Sequence, residues 1–248
     1  MFKNSYSNEE LNRLISNTAG RRGWNFSIMK TERQPVPWDY LKVVPLYLRP
    51  SDVVLDIGTG GGERFLEFSK YFKSGIGIDS DPEMVKTAME NGANIKNVSF
   101  KIDTHKLTAT KEKFDVILCR HAPFDLPTVI AHLKPGGYFI MQEVGEKNML
   151  NIKKVLGQDK SEPALTKEQF ENSGFRLLAF MEYNVEYVVR DVESLVFWLN
   201  ALDYLHSDLK GNEGLADANI FNKILKCNVT RYGFTTNEHR YLAIAQNL

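Results

Sequence analysis

A doubly wound α/β fold with a mostly parallel sheet is predicted by three observations. From residue 52 onward, short apolar segments alternate with segments of helical periodicity. The first apolar segment ends in a glycine-rich turn, and that turn runs directly into a helical pattern. Repeated βα units favour a parallel sheet with helices on both faces, because right-handed crossovers lay each helix back against the sheet.

Ahead of that region, residues 1–50 read as a helical and irregular cover. Ser7 and Glu10 have capping-box spacing, which predicts a helix over 7–17. Pro35, Pro37, Pro45 and Pro50 then break up regular structure, while Trp38, Tyr40, Leu41 and Val44 between them require burial, so the segment packs on the domain.

Residues 53–57 (VVLDI) form the first strand, and Phe65, Phe68 and Phe72 recur at helical spacing after it. Residues 75–79 give a second strand. Asp81-Pro82 supplies a cap and a first helical residue for a helix to about Asn91. Residues 98–102, 114–119 and 138–141 read as the third, fourth and fifth strands, with a helix near 126–133 and the turn Pro135-Gly136-Gly137 before the last of them.

Thr166 and Gln169 have capping-box spacing for a helix to about Ser173, and residues 176–189 are strand-like. Val192, Leu195, Val196, Leu199, Leu202 and Leu205 follow the helical rule, so 191–206 is read as an amphipathic helix capped by Asp191. A loop over 208–218 and a final strand near 240–246 complete the chain. The predicted organisation is a cover (1–50), an α/β domain (51–190 and 236–248) and a helical insert (191–235) near the substrate site.

Composition excludes several classes. Of 248 residues, 43% are hydrophobic and 25% charged, an ordinary globular balance. The 31 basic and 31 acidic side chains leave no excess charge to hold a phosphate backbone, which weighs against a nucleic-acid partner. Arg21 and Arg22 could make a local basic patch or simply a solvated stretch. Cys119 and Cys227 have no ligand or disulfide spacing, and no apolar run reaches the roughly 18 residues of a membrane span, so a soluble, reduced, cytoplasmic protein is expected.

The chemistry concentrates in Asp56-Ile57-Gly58-Thr59-Gly60-Gly61-Gly62-Glu63. Glycines there either serve a tight strand-to-helix turn or let a ligand approach the backbone closely. A dinucleotide fingerprint from Gly58 needs glycine or alanine at 63, which is Glu63, and no lysine followed by serine or threonine makes a phosphate loop. A cofactor without phosphate is therefore preferred.

In these residues the chain resembles the class I S-adenosylmethionine-dependent methyltransferases. Their first motif places an acidic residue before a GxGxG turn, as in Asp56, Gly58, Gly60 and Gly62. Further acidic residues follow the second and third strands, here Asp79 and Asp103, and the fourth and fifth motifs resemble residues 114–125 and 133–139. The resemblance covers residues 52–145. It implies a Rossmann-like, seven-stranded sheet with an antiparallel last strand, and S-adenosylmethionine as cofactor with S-adenosylhomocysteine as product and no metal.

The resemblance further implies roles. Asp56, the turn with Thr59, and the Arg120 carbonyl would meet the methionine end. Asp79 and Ser80 would meet the ribose, and Asp103 and the Thr104 amide the adenine. Read alone, an aspartate at a strand end is often only a turn or helix cap. His121 is either a general base or a residue that shapes the pocket, since imidazole titrates near neutrality. Glu143 reaches the pocket or faces solvent. Cys119 reads as an inert strand residue, and the remaining histidines lack ligand spacing.

Trp38, Tyr40, His121 and Trp198 are the candidates to line an acceptor site. A small-molecule acceptor is preferred, with RNA methylation through Arg21, Arg22 and nearby aromatics such as Trp24, or non-catalytic ligand binding through a partner, as the competing readings.

Overall fold

The computed structural model describes residues 2–18, 26–108, 111–159, 166–205 and 216–248. Arg21, Arg22, Trp24, His206 and most of the predicted loop 208–218 lie outside these residues.

The cover begins with α1 (Asn8–Asn17), whose Ser7–Glu10 capping box forms as the spacing predicts. It then contributes a strand, β1 (Thr31–Arg33), and the short helix α2 (Tyr40–Val43), which Asp39 caps through the Leu41 amide and which runs into a 3₁₀ turn over Val44–Tyr47. The central region runs β2 (Val53–Ile57), α3 (Glu63–Glu67), β3 (Ser74–Asp79), α4 (Pro82–Asn91), β4 (Val98–Ile102), β5 (Phe114–Arg120), α5 (Leu126–His132) and β6 (Leu133–Val144). Then come α6 (Leu150–Leu156), α7 (Lys167–Glu171), β7 (Phe175–Val189), α8 (Val192–Ala201), α9 (Ala218–Asn228), β8 (Val229–Thr230) and β9 (Gly233–Asn247).

The strands form one nine-stranded sheet in the order β1-β7-β9-β6-β5-β2-β3-β4, with β8 paired to β9. The pairs from β4 to β6 are parallel, and β9 runs antiparallel to both β6 and β7. All seven predicted strands are present, including the antiparallel last one. Two short strands are added: β1 extends the edge beside β7, and β8 makes a hairpin with β9. The predicted cover is thus partly sheet, because the exposed backbone edge of β7 is satisfied by residues 31–33.

Helix lengths differ from expectation in two places. The helix after the glycine turn stops at Glu67, and Phe72 follows a 3₁₀ turn over Ser69–Tyr71. The helix predicted over 191–206 ends at Ala201, and Leu202 and Leu205 still join its apolar cluster.

Burial explains the layers. Val54, Val116, Leu118 and Ile140 point to one face and pack with Tyr40, Val44, Phe65 and Phe68, whereas Leu55, Ile57, Ile117 and Phe139 point to the other and pack with Val129 and Phe170. Central strands buried on both faces read as continuous apolar runs for this reason. A third cluster joins α1, α6, α8 and α9 through Leu11, Ile152, Leu195, Leu199, Phe221 and Phe234.

Candidate functional site

The chain order reverses between β2 and β5, which are parallel neighbours although two strands intervene in sequence. At such a switch point the loops leaving the two strands diverge to opposite sides, opening a crevice at their carboxyl ends. Asp56 lies one residue from the end of β2, and Arg120 ends β5.

The turn after β2 is held open by backbone that only glycine adopts at low cost. Gly58 has φ +69°, and a Cβ there would fall 2.1 Å from the Ala122 Cβ on the loop leaving β5. Gly62, with φ +76°, leaves room for the Phe100 ring, 2.9 Å from where its Cβ would stand. The turn is pinned to β3: Thr59 N donates to the Ile78 carbonyl at 2.8 Å, and Gly60 N to Asp79 Oδ2 at 2.9 Å. Asp79 Oδ1 accepts from Asp81 N at 3.0 Å, and Ser80 is exposed beside it.

Asp56 is 8% exposed, and burial pushes its carboxyl up to about 7 against the opposing influence of Thr59 and Arg120. Desolvation disfavours the charged form, so this carboxylate is primed for a cation. Asp103 is buried just beyond β4, where its Oδ1 accepts from Thr104 N at 2.7 Å. The Thr104 amide is therefore engaged by its neighbour and must turn outward to meet a ligand.

His121 stands at φ +58°, a left-handed conformation uncommon outside glycine. Its Nε2 lies 3.1 Å from Gln142 Nε2, and Gln142 Oε1 lies 3.2 Å from Trp38 Nε1. The indole nitrogen only donates, so Gln142 must turn its oxygen to Trp38 and its amide NH₂ to His121. His121 Nε2 is then an acceptor and the ring proton sits on Nδ1. Burial, then Arg120 and Arg240, hold the imidazole well below its ordinary pKa, which agrees with a neutral ring.

Residues 142 and 143 alternate across β6, and each opens on a different cavity. Gln142 lines one of about 260 Å³ together with Trp38, Tyr40, Arg120, Tyr183 and Arg240. Glu143, raised by burial, lines one of about 870 Å³ with the 122–127 loop and α7. Asp79 and Asp103 line neither cavity.

Of the residues expected at an acceptor site, Trp38, Tyr40 and, through Gln142, His121 come together. Trp198 does not. Its ring packs on Tyr187 at 5.4 Å, because α8 is drawn into the helical cluster, and it lines neither cavity. Arg33, Tyr183, Glu238 and Arg240 border the smaller cavity without having been anticipated from sequence. They lie on β1, β7 and β9, and only the sheet order brings them to β5. Cys119 is buried, with its thiol pushed well up by burial, as an inert strand residue should be.

Carboxylates near the ends of three consecutive parallel strands, the first followed by a glycine turn, define a class I S-adenosylmethionine-dependent methyltransferase. Residues 48–173, half of the chain, match the family described as a methyltransferase domain, and the chain belongs to that family.

Among curated relatives, an uncharacterised methyltransferase of Bacillus subtilis, YcgJ, is 42% identical over 74 residues, 28% of each chain. A protein-L-isoaspartate O-methyltransferase of Myxococcus xanthus is 31% identical over 118 residues, 45% of this chain and 56% of the relative. A malonyl-[acyl-carrier protein] O-methyltransferase of a Marinomonas species is 29% identical over 141 residues, 50% of this chain and 52% of the relative. The chain thus matches 28%, 56% and 52% of the lengths of these three relatives.

Two solved structures share the fold. A functionally unknown protein of Deinococcus radiodurans superposes with TM-score 0.60 at 18% identity, over 89% of this chain and 92% of that one. A putative methyltransferase of Bacillus halodurans superposes with TM-score 0.59 at 18% identity, over 84% and 98%.

Proposed function

We propose that the protein transfers the methyl group of S-adenosylmethionine to a small-molecule acceptor by direct displacement. When bound, this cofactor supplies a methyl already activated on a sulfonium centre and leaves as S-adenosylhomocysteine. The observation that carries the reading is the buried Asp56, held up to about 7 beside a turn of positive-φ glycines. A carboxylate so placed gains most from an ammonium group, and glycine backbone admits close approach.

The remaining residues fit the rest of such a ligand. Asp79 projects from the end of β3 with two oxygens able to accept from vicinal hydroxyls, next to Ser80. Asp103 and the Thr104 amide offer an acceptor and a donor to an adenine edge, and the Arg120 carbonyl faces the ammonium. The chain's own contribution is to hold donor and acceptor in line and to exclude water. His121, with its Nε2 engaged, orients the acceptor side through Nδ1–H.

The cover is assigned to the acceptor side through Trp38 and Tyr40, whereas the described residues of 191–235 line neither cavity. Two of the curated relatives carry O-methyltransferase names, so oxygen acceptors are the first to screen. No helix among the described residues is long and apolar enough to cross a membrane, and no group of three metal-binding side chains occurs among them. The proposed setting is the cytoplasm, with a small molecule ranked ahead of nucleic acid as acceptor and no membrane partner.

Calorimetric titration with S-adenosylmethionine and S-adenosylhomocysteine, with NAD as control, tests the reading. Saturable binding of the adenosyl ligands and not NAD is expected. Binding of NAD alone would overturn it.

A further inference from the structure

The smaller cavity has an unbalanced polar lining. Four arginines border it, Arg33 and Arg64 at the exposed mouth and Arg120 and Arg240 deeper, against the carboxylates of Asp39 and Glu238. Glu238 is committed: Arg33 Nη1 donates to it at 2.7 Å, Tyr183 Oη at 2.6 Å, and Arg240 Nη2 lies 3.5 Å away. Asp39 caps α2 through the Leu41 amide at 3.0 Å.

Arg120 is different. Its guanidinium makes no ion pair or hydrogen bond among the described residues, and its neighbour is the Tyr40 ring, 6.0 Å from the guanidinium carbon. The Tyr40 side chain is 5% exposed, and its hydroxyl is buried without a hydrogen-bond partner. An unpaired guanidinium and an orphaned hydroxyl in one cavity each carry a desolvation cost that an incoming acceptor of hydrogen bonds would offset. A guanidinium fork matches a planar carboxylate or a phosphate in particular.

We propose that this cavity binds an anionic group, a carboxylate or a phosphate, of the methyl acceptor. The proposal rests on the methyltransferase reading, and it narrows the acceptor to one that carries such a group. About 260 Å³ admits a group of benzoate size. The lining comes from the cover and from α3, β5, β6, β7 and β9; Arg64 follows the Gly58–Gly62 turn by two residues, and the turn itself contributes none. Asp56 lies within electrostatic reach of both Tyr40 and Arg120, so the cavity adjoins the methionine end.

The test is calorimetric titration of the S-adenosylhomocysteine-saturated protein with benzoate and phenyl phosphate, and with benzamide as the neutral counterpart. At least one anion should bind at least about tenfold more tightly than benzamide, and Arg120→Gln should remove about tenfold of that affinity while affecting S-adenosylhomocysteine less. Tyr40→Phe, which deletes only an unpartnered hydroxyl, should weaken the anion severalfold and serves if Arg120→Gln fails to fold.

Equal binding of anions and benzamide, or no binding of either anion, overturns the proposal. So does an Arg120→Gln protein that loses affinity for S-adenosylhomocysteine and not for its decarboxylated analogue, because the cavity would then hold the cofactor's own carboxylate. If neither adenosyl ligand binds the wild-type protein, the methyltransfer reading fails by itself. The same anion titration on the ligand-free protein then still decides the cavity.

Discussion

Trp38 Nε1 donates to Gln142 Oε1 at 3.2 Å, and this single contact sets the state of a third residue. With its oxygen committed, Gln142 presents its amide hydrogens to His121 Nε2, 3.1 Å away, and the His121 proton is confined to Nδ1. Nitrogen-15 NMR of selectively labelled protein should show neutral, Nδ1-protonated His121 where a free imidazole is half protonated. Gln142→Leu should release that tautomer. A His121 that is protonated at neutral pH would sink the argument.

The same geometry bears on turnover. His121→Ala should lower kcat while changing cofactor affinity by less, if Nδ1–H has the orienting role proposed for it. Loss of cofactor affinity with kcat intact would reverse the assignment.

Asp56 makes stability depend on pH. Its folded pKa of about 7 lies above the ordinary 3.8, so the folded state holds a proton the unfolded state has lost between those values. Stability from this group is complete below about pH 4 and is lost as pH rises to about 7, an effect of order 4 kcal/mol. Asp56→Asn should therefore raise the Tm of the ligand-free protein at pH 8, leave it little changed at pH 4, and weaken S-adenosylmethionine. Binding of the cofactor near pH 6 should release a proton, read by calorimetry in buffers of different ionisation enthalpy.

Asp79 holds the turn as well as being proposed for the ribose, because its oxygens accept from Gly60 N and Asp81 N at 2.9 and 3.0 Å. Asp79→Ala should cost about 1–3 kcal/mol of stability. It should also reduce cofactor affinity by at least about tenfold. Asp79→Asn, which keeps one acceptor, should recover most of the stability. Unchanged affinity in both variants would remove the ribose assignment.

Gly58→Ala tests the close approach of two loops. The added methyl meets the Ala122 Cβ, and alanine is strained at φ +69°. A loss of about 2–4 kcal/mol in chemical denaturation is expected. Gly58→Ala with Ala122→Gly should recover the steric part and leave the backbone part.

The seven predicted strands and the capped helices were legible because their signals are local. Apolar runs, the Ser7 and Thr166 capping boxes, and the Asp81-Pro82 start each act within a few residues. Helix α6 was not legible: its cap position is Met149 in a left-handed conformation, with no side-chain cap. Helix α9 carried a signal that went unread, with Ala218, Phe221, Ile224 and Leu225 on one face and Asp217 as its cap.

By itself the sequence determined the succession of the parallel strands along the chain, the glycine turn, and the three aspartates near the strand ends, since each of these signals is local. Tertiary structure alone decided what joins Trp38, Tyr40 and Arg120 around the smaller cavity. Arg33, Gln142, Tyr183 and Arg240 are far apart in the chain, and they converge because β1, β7 and β9 continue the sheet beyond β6. Partners so distant in sequence leave no periodic trace: backbone pairing between strands selects them, and the side chains then find their hydrogen bonds.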